Sequence, residues 1–390
     1  MNKSVAIFVS MLLFAILQIP NVQQKIYSIL PFSGTQILKP QSSKDGKNTI
    51  QMALLLDTSN SMDGLIEQTK SQLWKMVNRL ASSKKNGKTP KIEIALYEYG
   101  NSGLEVGNGY VQQIVAMTSD LDLISEKLFQ MKTSGGEEYC GYVLRNALQE
   151  LNWSDNPEDL KIMVVAGNEA FTQGPISFRQ SCQNSKEKGV IVNTIFCGDY
   201  QTGINSYWKE GADIAKGEYL NINHNDVVEH IATPYDQLIL DLNIKLNKTY
   251  LGYGHEGKIK QQRQFTQDDN AAAYGASNVR TRASFKTKDS YNNSSWDLVD
   301  AVEENEAVLS NEPTALPKNM QSMNLKERKK YVQKMGEERS EVQAKIKELN
   351  KKAEQYILEQ QKNKSEKQTL DNVMINTITK QAMKKRFEFK

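Results

Sequence analysis

The residues best suited to chemistry lie directly after a continuous apolar run, Thr49 to Asp57. Asp57, Ser59 and Ser61 place a carboxylate and two hydroxyls at alternate positions of a loop, so all three side chains can turn toward one point. Carboxylate and hydroxyl oxygens are hard ligands that suit Mg²⁺ or Mn²⁺ rather than zinc. The spacing therefore predicts a divalent-cation site, with Mg²⁺ favoured and Mn²⁺ or Ca²⁺ as alternatives. The structural alternative is a serine-rich turn that caps the next helix.

The elements that must position this loop follow an alternating pattern. Strands are predicted over residues 49–57, 91–99, 110–115, 161–166, 189–197 and 218–222. Helices are predicted over residues 64–80, 121–131, 142–151, 176–188, 204–216 and 226–248. This alternation is typical of an α/β fold with a doubly wound, mostly parallel sheet flanked by helices. In such folds ligands bind outside the carboxyl ends of the strands, which is where Asp57 falls.

With this context, the segment Asp57-Thr58-Ser59-Asn60-Ser61 resembles the Asp-x-Ser-x-Ser loop of the von Willebrand factor type A domain. That loop belongs to the family's metal-ion-dependent adhesion site. The resemblance covers about residues 49–249. It implies a metal ion at the top of the sheet, a binding role rather than catalysis, and a protein partner whose acidic side chain completes the metal's coordination shell.

Two further loops resemble the family in position but not in residue. Glu137 stands where the family usually has a Thr, and Gly167 stands where it usually has an Asp. The resemblance therefore implies Glu137, Asn168 and Glu169 as the remaining oxygen donors, in a modified site like that of a bacterial branch of the family. For Glu137 and its neighbour Glu138, the alternative is a solvated loop that only interacts with the dipole of the next helix.

Three cysteines exclude a disulfide scaffold and a four-cysteine zinc site. In an exported protein, Cys140 could bridge to Cys197, or Cys182 to Cys197; buried free thiols are equally compatible with the pattern. A catalytic pairing of Cys140 with a histidine has no local signature to support it. The candidate histidines are His224, His230 and His255. We therefore expect no enzyme activity, with a hydrolase as the less favoured reading.

The chain begins with Lys3 and an apolar run from Val5 to Ile19, which Pro20 ends. A basic residue before such a run is typical of a secretory signal, and the run is shorter than the roughly 20 residues of a spanning helix. An uncleaved membrane anchor and a buried N-terminal helix are the alternatives. Residues 1–20 are thus predicted to direct export to the periplasm or the extracellular space, and residues 21–48 to form a linker.

The remaining sequence divides into two predicted regions. Residues 250–317 show no sustained period and are predicted to form an extended strap or linker, with a short helix near Trp296. Residues 318–390 hold 19 Lys or Arg against 10 Asp or Glu, whereas the whole chain has a net charge of +3. This predicts a basic helical tail. The overall balance argues against nucleic-acid binding by the whole chain, and the predicted export argues against it for the tail. Contact of the tail with anionic lipid or an envelope polymer is favoured instead.

The tail contains apolar residues at heptad spacing, interrupted only by Arg339. They are Val332, Met335, Val342, Ile346, Leu349, Ala353 and Tyr356. Such a seam predicts a coiled coil or a helical hairpin, with self-association as one outcome. The sequence as a whole predicts an exported, metal-dependent adhesion or scaffold module. The alternative is a metal-free envelope scaffold with a degenerate site.

Overall fold

A computed structural model of the chain describes residues 48–222, 231–361 and 370–389. The predicted signal or anchor, nearly all of the linker, and His224 and His230 lie outside these residues. Within the described part of the chain, no helix has the length and apolar character needed to cross a membrane. The chain from Lys47 to Lys390 forms one compact unit.

The apolar run after Asn48 forms the central strand of a six-stranded sheet, in the order β4-β3-β1-β5-β6-β7. These strands are β1 (Thr49–Asp57), β3 (Lys91–Tyr99), β4 (Val111–Thr118), β5 (Leu160–Gly167), β6 (Ile191–Cys197) and β7 (Tyr219–Ile222). All pairs are parallel except the one between β3 and β4, which places an antiparallel strand at one edge. The predicted doubly wound, mostly parallel sheet is confirmed.

Helices cover both faces of the sheet because successive residues of β1 point to opposite sides. Met52 and Leu54 pack against α1 (Asp63–Ala81) and α2 (Leu121–Gln130). Ala53 and Leu55 pack in a second core, to which three helices on the other face contribute. Those helices are α3 (Cys140–Glu150), α4 (Phe178–Glu187) and α6 (Trp208–Ile214).

One helix predicted over residues 204–216 is two helices in the structure, α5 (Tyr200–Asn205) and α6. Tyr207 separates them with a left-handed backbone φ of 72°. The break lets Trp208 turn into the core, where it is fully buried against Phe171 and Phe196.

The predicted extended strap over residues 250–317 is wrong, because most of this region is helical. After α7 (Asp236–Asn247) the chain forms α8 (Gly257–Ala273), α9 (Ala276–Phe285) and α10 (Leu298–Glu304), followed by short 3₁₀ turns. The chain closes with α11 (Leu325–Gln361), α12 (Leu370–Lys384) and the short strand β8 (Glu388–Phe389). Helices therefore continue beyond residue 249, where the sequence predicted the end of the α/β domain.

The heptad seam of α11 packs against other helices of the same chain. Ile346 is fully buried beside Ile239 of α7 and Trp296, while Val332 and Met335 join Leu298 of α10 in a separate cluster. Arg339, the charged interruption of the seam, is also buried. Its guanidinium donates to both carboxylate oxygens of Asp297, at 2.7 and 3.1 Å.

A second group of buried charges joins the sheet domain to the C-terminal helices. Arg282 of α9 donates to Asp122 of α2 at 2.7 Å and also pairs with Asp268 of α8. Lys286, fully buried, lies 2.9 Å from the other oxygen of Asp268. Tyr291 donates its hydroxyl to Asp122 at 2.7 Å. Two carboxylates thus meet two cations, and we call these four charged side chains the buried ion network.

The C-terminus returns to the sheet domain. Met374, Ile378 and Ala382 of α12 are buried in the core that also holds α1. β8 then pairs antiparallel with β2 (Ser83–Lys84), at the end of α1. The last described residues therefore complete a core that begins at the first strand.

Candidate metal centre

The loop after β1 brings the predicted ligands together at the carboxyl edge of the sheet. The Ser59 amide donates to Asp57 Oδ1 at 2.7 Å, and the Ser59 and Ser61 hydroxyls lie 3.0 Å apart. Ser61 Oγ donates to Asn168 Oδ1 at 3.2 Å, which adds the loop after β5. A carboxylate, two hydroxyls and an amide oxygen therefore converge on one point.

The second loop contributes Glu138 rather than the predicted Glu137, which is exposed. The Glu138 side chain is 3% exposed and lies beside the side chains of Asp57 and Ser59. A close backbone approach explains the difference, because a Cβ on Gly136 would lie 2.2 Å from the carbonyl oxygen of Gly100. This contact fixes the path of the loop, so that Glu138 turns inward.

Asp57 and Glu138 form a buried carboxyl pair. Asp57 is fully buried, and its Oδ2 atom has no hydrogen-bond donor. Burial raises the pKa of Asp57 to about 9, and the adjacent Glu138 contributes to the increase. Burial also raises the pKa of Glu138, and the Glu169 carboxylate adds to this shift. The pair therefore lacks a positive charge, which a proton or a metal ion could supply.

This donor set fits a hard divalent cation. Magnesium and calcium prefer carboxylate, hydroxyl and carbonyl oxygens, and the orphaned Asp57 Oδ2 offers such an oxygen without a competing donor. Within the described residues, no three His, Cys, Asp or Glu side chains come together as a metal site. A cation here would therefore depend on the hydroxyls of Ser59 and Ser61 and on the amide oxygen of Asn168.

Gly100, directly after β3, is a site residue that the sequence analysis missed. Its φ is +78°, and a Cβ there would lie 2.6 Å from Asp57 Oδ1. The conformation and the close approach both require glycine. A glycine at the carboxyl end of a strand next to β1 was the available signal.

In the third loop, Gly167 stands where the family resemblance implies an aspartate. Steric crowding explains why a larger residue is absent there. A Cβ on Gly167 would lie 2.6 Å from Tyr99 Oη and 3.0 Å from Trp208. Tyr99 Oη donates to the Ala166 carbonyl at 2.9 Å, and the Trp208 indole donates to the Glu169 carbonyl at 2.7 Å. These two aromatic residues hold the loop so that Glu169 lies exposed at the mouth of the site, with its amide 3.3 Å from Glu138 Oε2.

The three cysteines are buried and free, so the structure contains neither of the predicted disulfides. Cys140 Sγ lies 3.5 Å from Tyr99 Oη, beneath the site. Burial raises the pKa of Cys140 and of Cys197, and it raises that of Cys182 to about 12. Thiols of this kind stay protonated and serve as packing groups rather than nucleophiles.

The family model of the von Willebrand factor type A domain matches residues 51–217. Among solved structures, the chain is similar to BatB, a conserved hypothetical protein of Bacteroides thetaiotaomicron, with 14% identity, a TM-score of 0.34, and coverage of 45% of this chain and 90% of that one. An aerotolerance-related membrane protein from Bacteroides fragilis has 16% identity and a TM-score of 0.30, with coverage of 45% of this chain and 92% of that one.

The pilus adhesin SpaC of Lactobacillus rhamnosus GG gives 14% identity and a TM-score of 0.35 over 46% of this chain, which spans only 28% of the adhesin. No curated protein matches the chain in sequence. The family match begins within β1 and ends just before β7, so it includes all three loops of the site. Residues 51–217 are therefore a von Willebrand factor type A domain.

Proposed function

We propose that the protein is an exported binding module in which a divalent cation, held at the carboxyl edge of the sheet, contributes to the capture of a protein partner or an envelope component. The observation that carries this proposal is the buried Asp57–Glu138 pair, whose Asp57 Oδ2 atom has no donor. Two buried carboxyls in contact are unfavourable without a compensating positive charge.

The residues that would hold the cation are Asp57, Ser59, Ser61, Glu138 and Asn168. Mg²⁺ is favoured because all the donors are oxygens, and Mn²⁺ or Ca²⁺ would suit the same set. When bound, the cation would neutralise the carboxyl pair and offer a Lewis-acidic position to an oxygen of the partner. The exposed Glu169 side chain lies where that partner would approach.

The role we propose is binding rather than catalysis. Cys140, the candidate nucleophile at this edge of the sheet, is buried and has a raised pKa. Export to the periplasm or extracellular space is proposed from the Val5–Ile19 run, with an uncleaved anchor as the alternative. A reporter fused after residue 48 should then be active only outside the cytoplasm, and activity only inside it would contradict export.

Calorimetric titration with Mg²⁺, Mn²⁺ and Ca²⁺ tests the metal site. We expect Asp57→Ala to abolish binding and Glu138→Gln to weaken it by about tenfold or more, because each removes a buried oxyanion. Glu137→Gln is the matched control, since it changes the adjacent exposed carboxylate; its affinity should stay within about twofold of wild type. Equal titrations for wild type and Asp57→Ala would show that this loop does not bind metal.

The second candidate is a metal-free envelope scaffold. The raised pKa values of Asp57 and Glu138 favour it, because a pair that retains a proton can remain buried without a metal. Absence of heat with all three cations, together with an unchanged unfolding midpoint when they are added, would support this candidate over the first.

A further inference from the structure

The opposite end of the sheet carries a concentration of positive charge. Two segments separated by about 300 residues, 79–88 and 380–387, contain eight basic residues and no acidic one. These residues are Arg79, Lys84, Lys85, Lys88, Lys380, Lys384, Lys385 and Arg386. We call this set the basic edge.

The pairing of β2 with β8 brings the two segments together. Ser83 pairs with Phe389 and Lys84 with Glu388 in an antiparallel register. The Lys85 ammonium lies 5.0 Å from the centre of the Phe387 ring, and the Arg79 guanidinium lies 4.3 Å from that of Phe389. Aromatic rings and backbone pairing thus hold like charges close to each other.

Acidic residues neutralise only part of this charge. Glu158 lies 3.5 Å from Lys85 and 4.0 Å from Arg386, and Glu388 is the acidic residue of β8. Arg386 is nevertheless 81% exposed, and Lys84, Lys88 and Lys384 are exposed as well. Four exposed basic side chains therefore lie beside two carboxylates on this surface, Glu158 and Glu388.

A buried lysine adjoins this surface. Lys161 donates to the carbonyl oxygens of Ser154 and Lys188, both at 2.8 Å. Burial lowers the pKa of Lys161, and the charge of Lys385 lowers it further. Lys385 itself donates to the Pro157 carbonyl. Asp155 and Asp159 act on the pKa of Lys161 in the opposite direction, so the uncompensated positive charge is confined to the basic edge itself.

The chain preceding the sheet joins it at this same edge. The Asn48 side chain donates to the Lys85 carbonyl at 3.0 Å, and the Asn48 carbonyl accepts from the Lys91 amide at 2.9 Å. Everything upstream, including the apolar run from Val5 to Ile19, is therefore attached to the domain beside the basic edge. The metal centre lies at the carboxyl ends of the strands, at the other end of the sheet.

We propose that the basic edge docks on the surface of an anionic lipid bilayer. The inference rests on the uncleaved-anchor form of the proposed function, in which the N-terminal run stays in the membrane after export. A coil the length of the predicted linker, residues 21–48, has a root-mean-square span of about 30 Å, so this edge would stay near any membrane that holds the run. Met383, 60% exposed, supplies an apolar side chain beside the charges. Docking in this way leaves the metal centre pointing away from the bilayer, toward a partner.

The test compares full-length protein on neutral phosphatidylcholine vesicles and on vesicles containing about one third phosphatidylglycerol. A basic residue near an anionic surface contributes a factor of about five in partitioning. Replacing Lys84, Lys88, Lys384 and Arg386 together by Gln should therefore lower binding to the anionic vesicles by at least about tenfold. Binding to neutral vesicles should not change, because it reports the N-terminal run alone.

The matched control replaces four exposed lysines of α11, Lys326, Lys330, Lys345 and Lys351, by Gln, with the same loss of charge. This variant should keep the anionic preference. If the first variant misfolds, a milder one with only Lys84 and Lys384 replaced by Gln takes its place, and it should lower binding to the anionic vesicles by at least about fivefold. The anionic preference of the wild type should also fall between about 50 and 300 mM salt, because salt screens exposed charges.

Two outcomes would overturn the proposal. One is equal loss of binding in both variants, which would mean that net charge matters and the basic edge does not. The other is tighter binding to a soluble single-stranded oligonucleotide than to anionic vesicles, lost in the first variant only, which would assign the edge to another polyanion. Metal titrations should be the same for all these variants, so failure here is distinct from failure of the metal site.

Discussion

Two groups of buried carboxylates in this molecule differ in what surrounds them. In the buried ion network, Asp122 and Asp268 meet Arg282 and Lys286 at 2.9 Å or less. At the metal centre, Asp57 and Glu138 meet each other and the hydroxyl of Ser59. In the first group, two basic side chains of the protein balance the two carboxylates. In the second group, no basic side chain among the described residues balances the carboxyl pair.

The pKa values follow the same division. Burial alone would raise the pKa of Asp268, but Lys286 and Arg282 lower it below its usual value. No such cation acts on Asp57, and burial raises its pKa to about 9. The comparison teaches that burial of a carboxylate does not by itself identify a site. A buried carboxylate with an unpaired oxygen is a candidate site, because a proton or a bound cation must supply the missing charge.

The largest expected effect is on the buried ion network. Arg282→Met should lower the free energy of unfolding by about 3–5 kcal/mol, because it leaves two buried carboxylates short of a cation. Urea denaturation followed by circular dichroism measures this change. Arg179→Met is the control: Arg179 also forms an ion pair, but on the surface, and the loss of unfolding free energy should be much smaller than for Arg282→Met. Similar losses for the two variants would remove the distinction between buried and exposed pairs.

The next effect separates the metal centre from the network. Without added metal, Asp57→Asn should change the free energy of unfolding by less than about 1 kcal/mol, since no cation in the chain loses its partner. Mg²⁺ at 100 times its dissociation constant should stabilise the wild type by about 2.7 kcal/mol and leave the variant unchanged. Thermal unfolding with and without Mg²⁺ gives both values. A large loss for the variant in the absence of metal would make Asp57 a structural residue.

The smallest effect is a dependence on pH. Folding lowers the pKa of Asp268, so its carboxylate stabilises the fold above its unfolded pKa of about 3.9, and this contribution is lost as the pH falls through the folded pKa. The difference in unfolding free energy between wild type and Asp268→Asn should therefore be greatest near pH 7 and smaller by about 1 kcal/mol at pH 3, which is about one unit below the unfolded pKa. Urea midpoints at pH 7 and pH 3 test this. A difference that grows in acid would reverse the assigned sign.

The fold and the first site loop could be predicted because their signals are local. A run such as Thr49–Asp57 is apolar along its whole length, and Ser59 and Ser61 follow it at fixed spacing. The choice between Glu137 and Glu138 was not predictable from spacing. It depends on the contact of Gly136 with Gly100, which lies 36 residues away.

Helices α8 and α9 could not be predicted from apolar periodicity because their buried faces are polar. Gln264 and Gln267 of α8 are buried, and so are Arg282 of α9 and the adjoining Lys286, whose charges are balanced by Asp122 and Asp268 on other elements. Arg339 is a similar case on α11: a charge in an apolar seam is stable because Asp297 lies opposite. Sequence patterns detect apolar faces, whereas a buried charge becomes intelligible only when its partner is known.

The pairing of β8 with β2 has a consequence for the order of synthesis. Ser83 contacts Phe389, and the core around α1 is completed by Met374, Ile378 and Phe387. A ribosome makes these residues about 300 residues after α1, so the sheet domain has an open apolar face while the intervening chain is being made. Contacts across so long a stretch of chain form slowly, and exposed apolar surface invites aggregation meanwhile. A chain that crosses a membrane before folding meets this difficulty on the far side, where its first and last segments arrive unfolded and can assemble together.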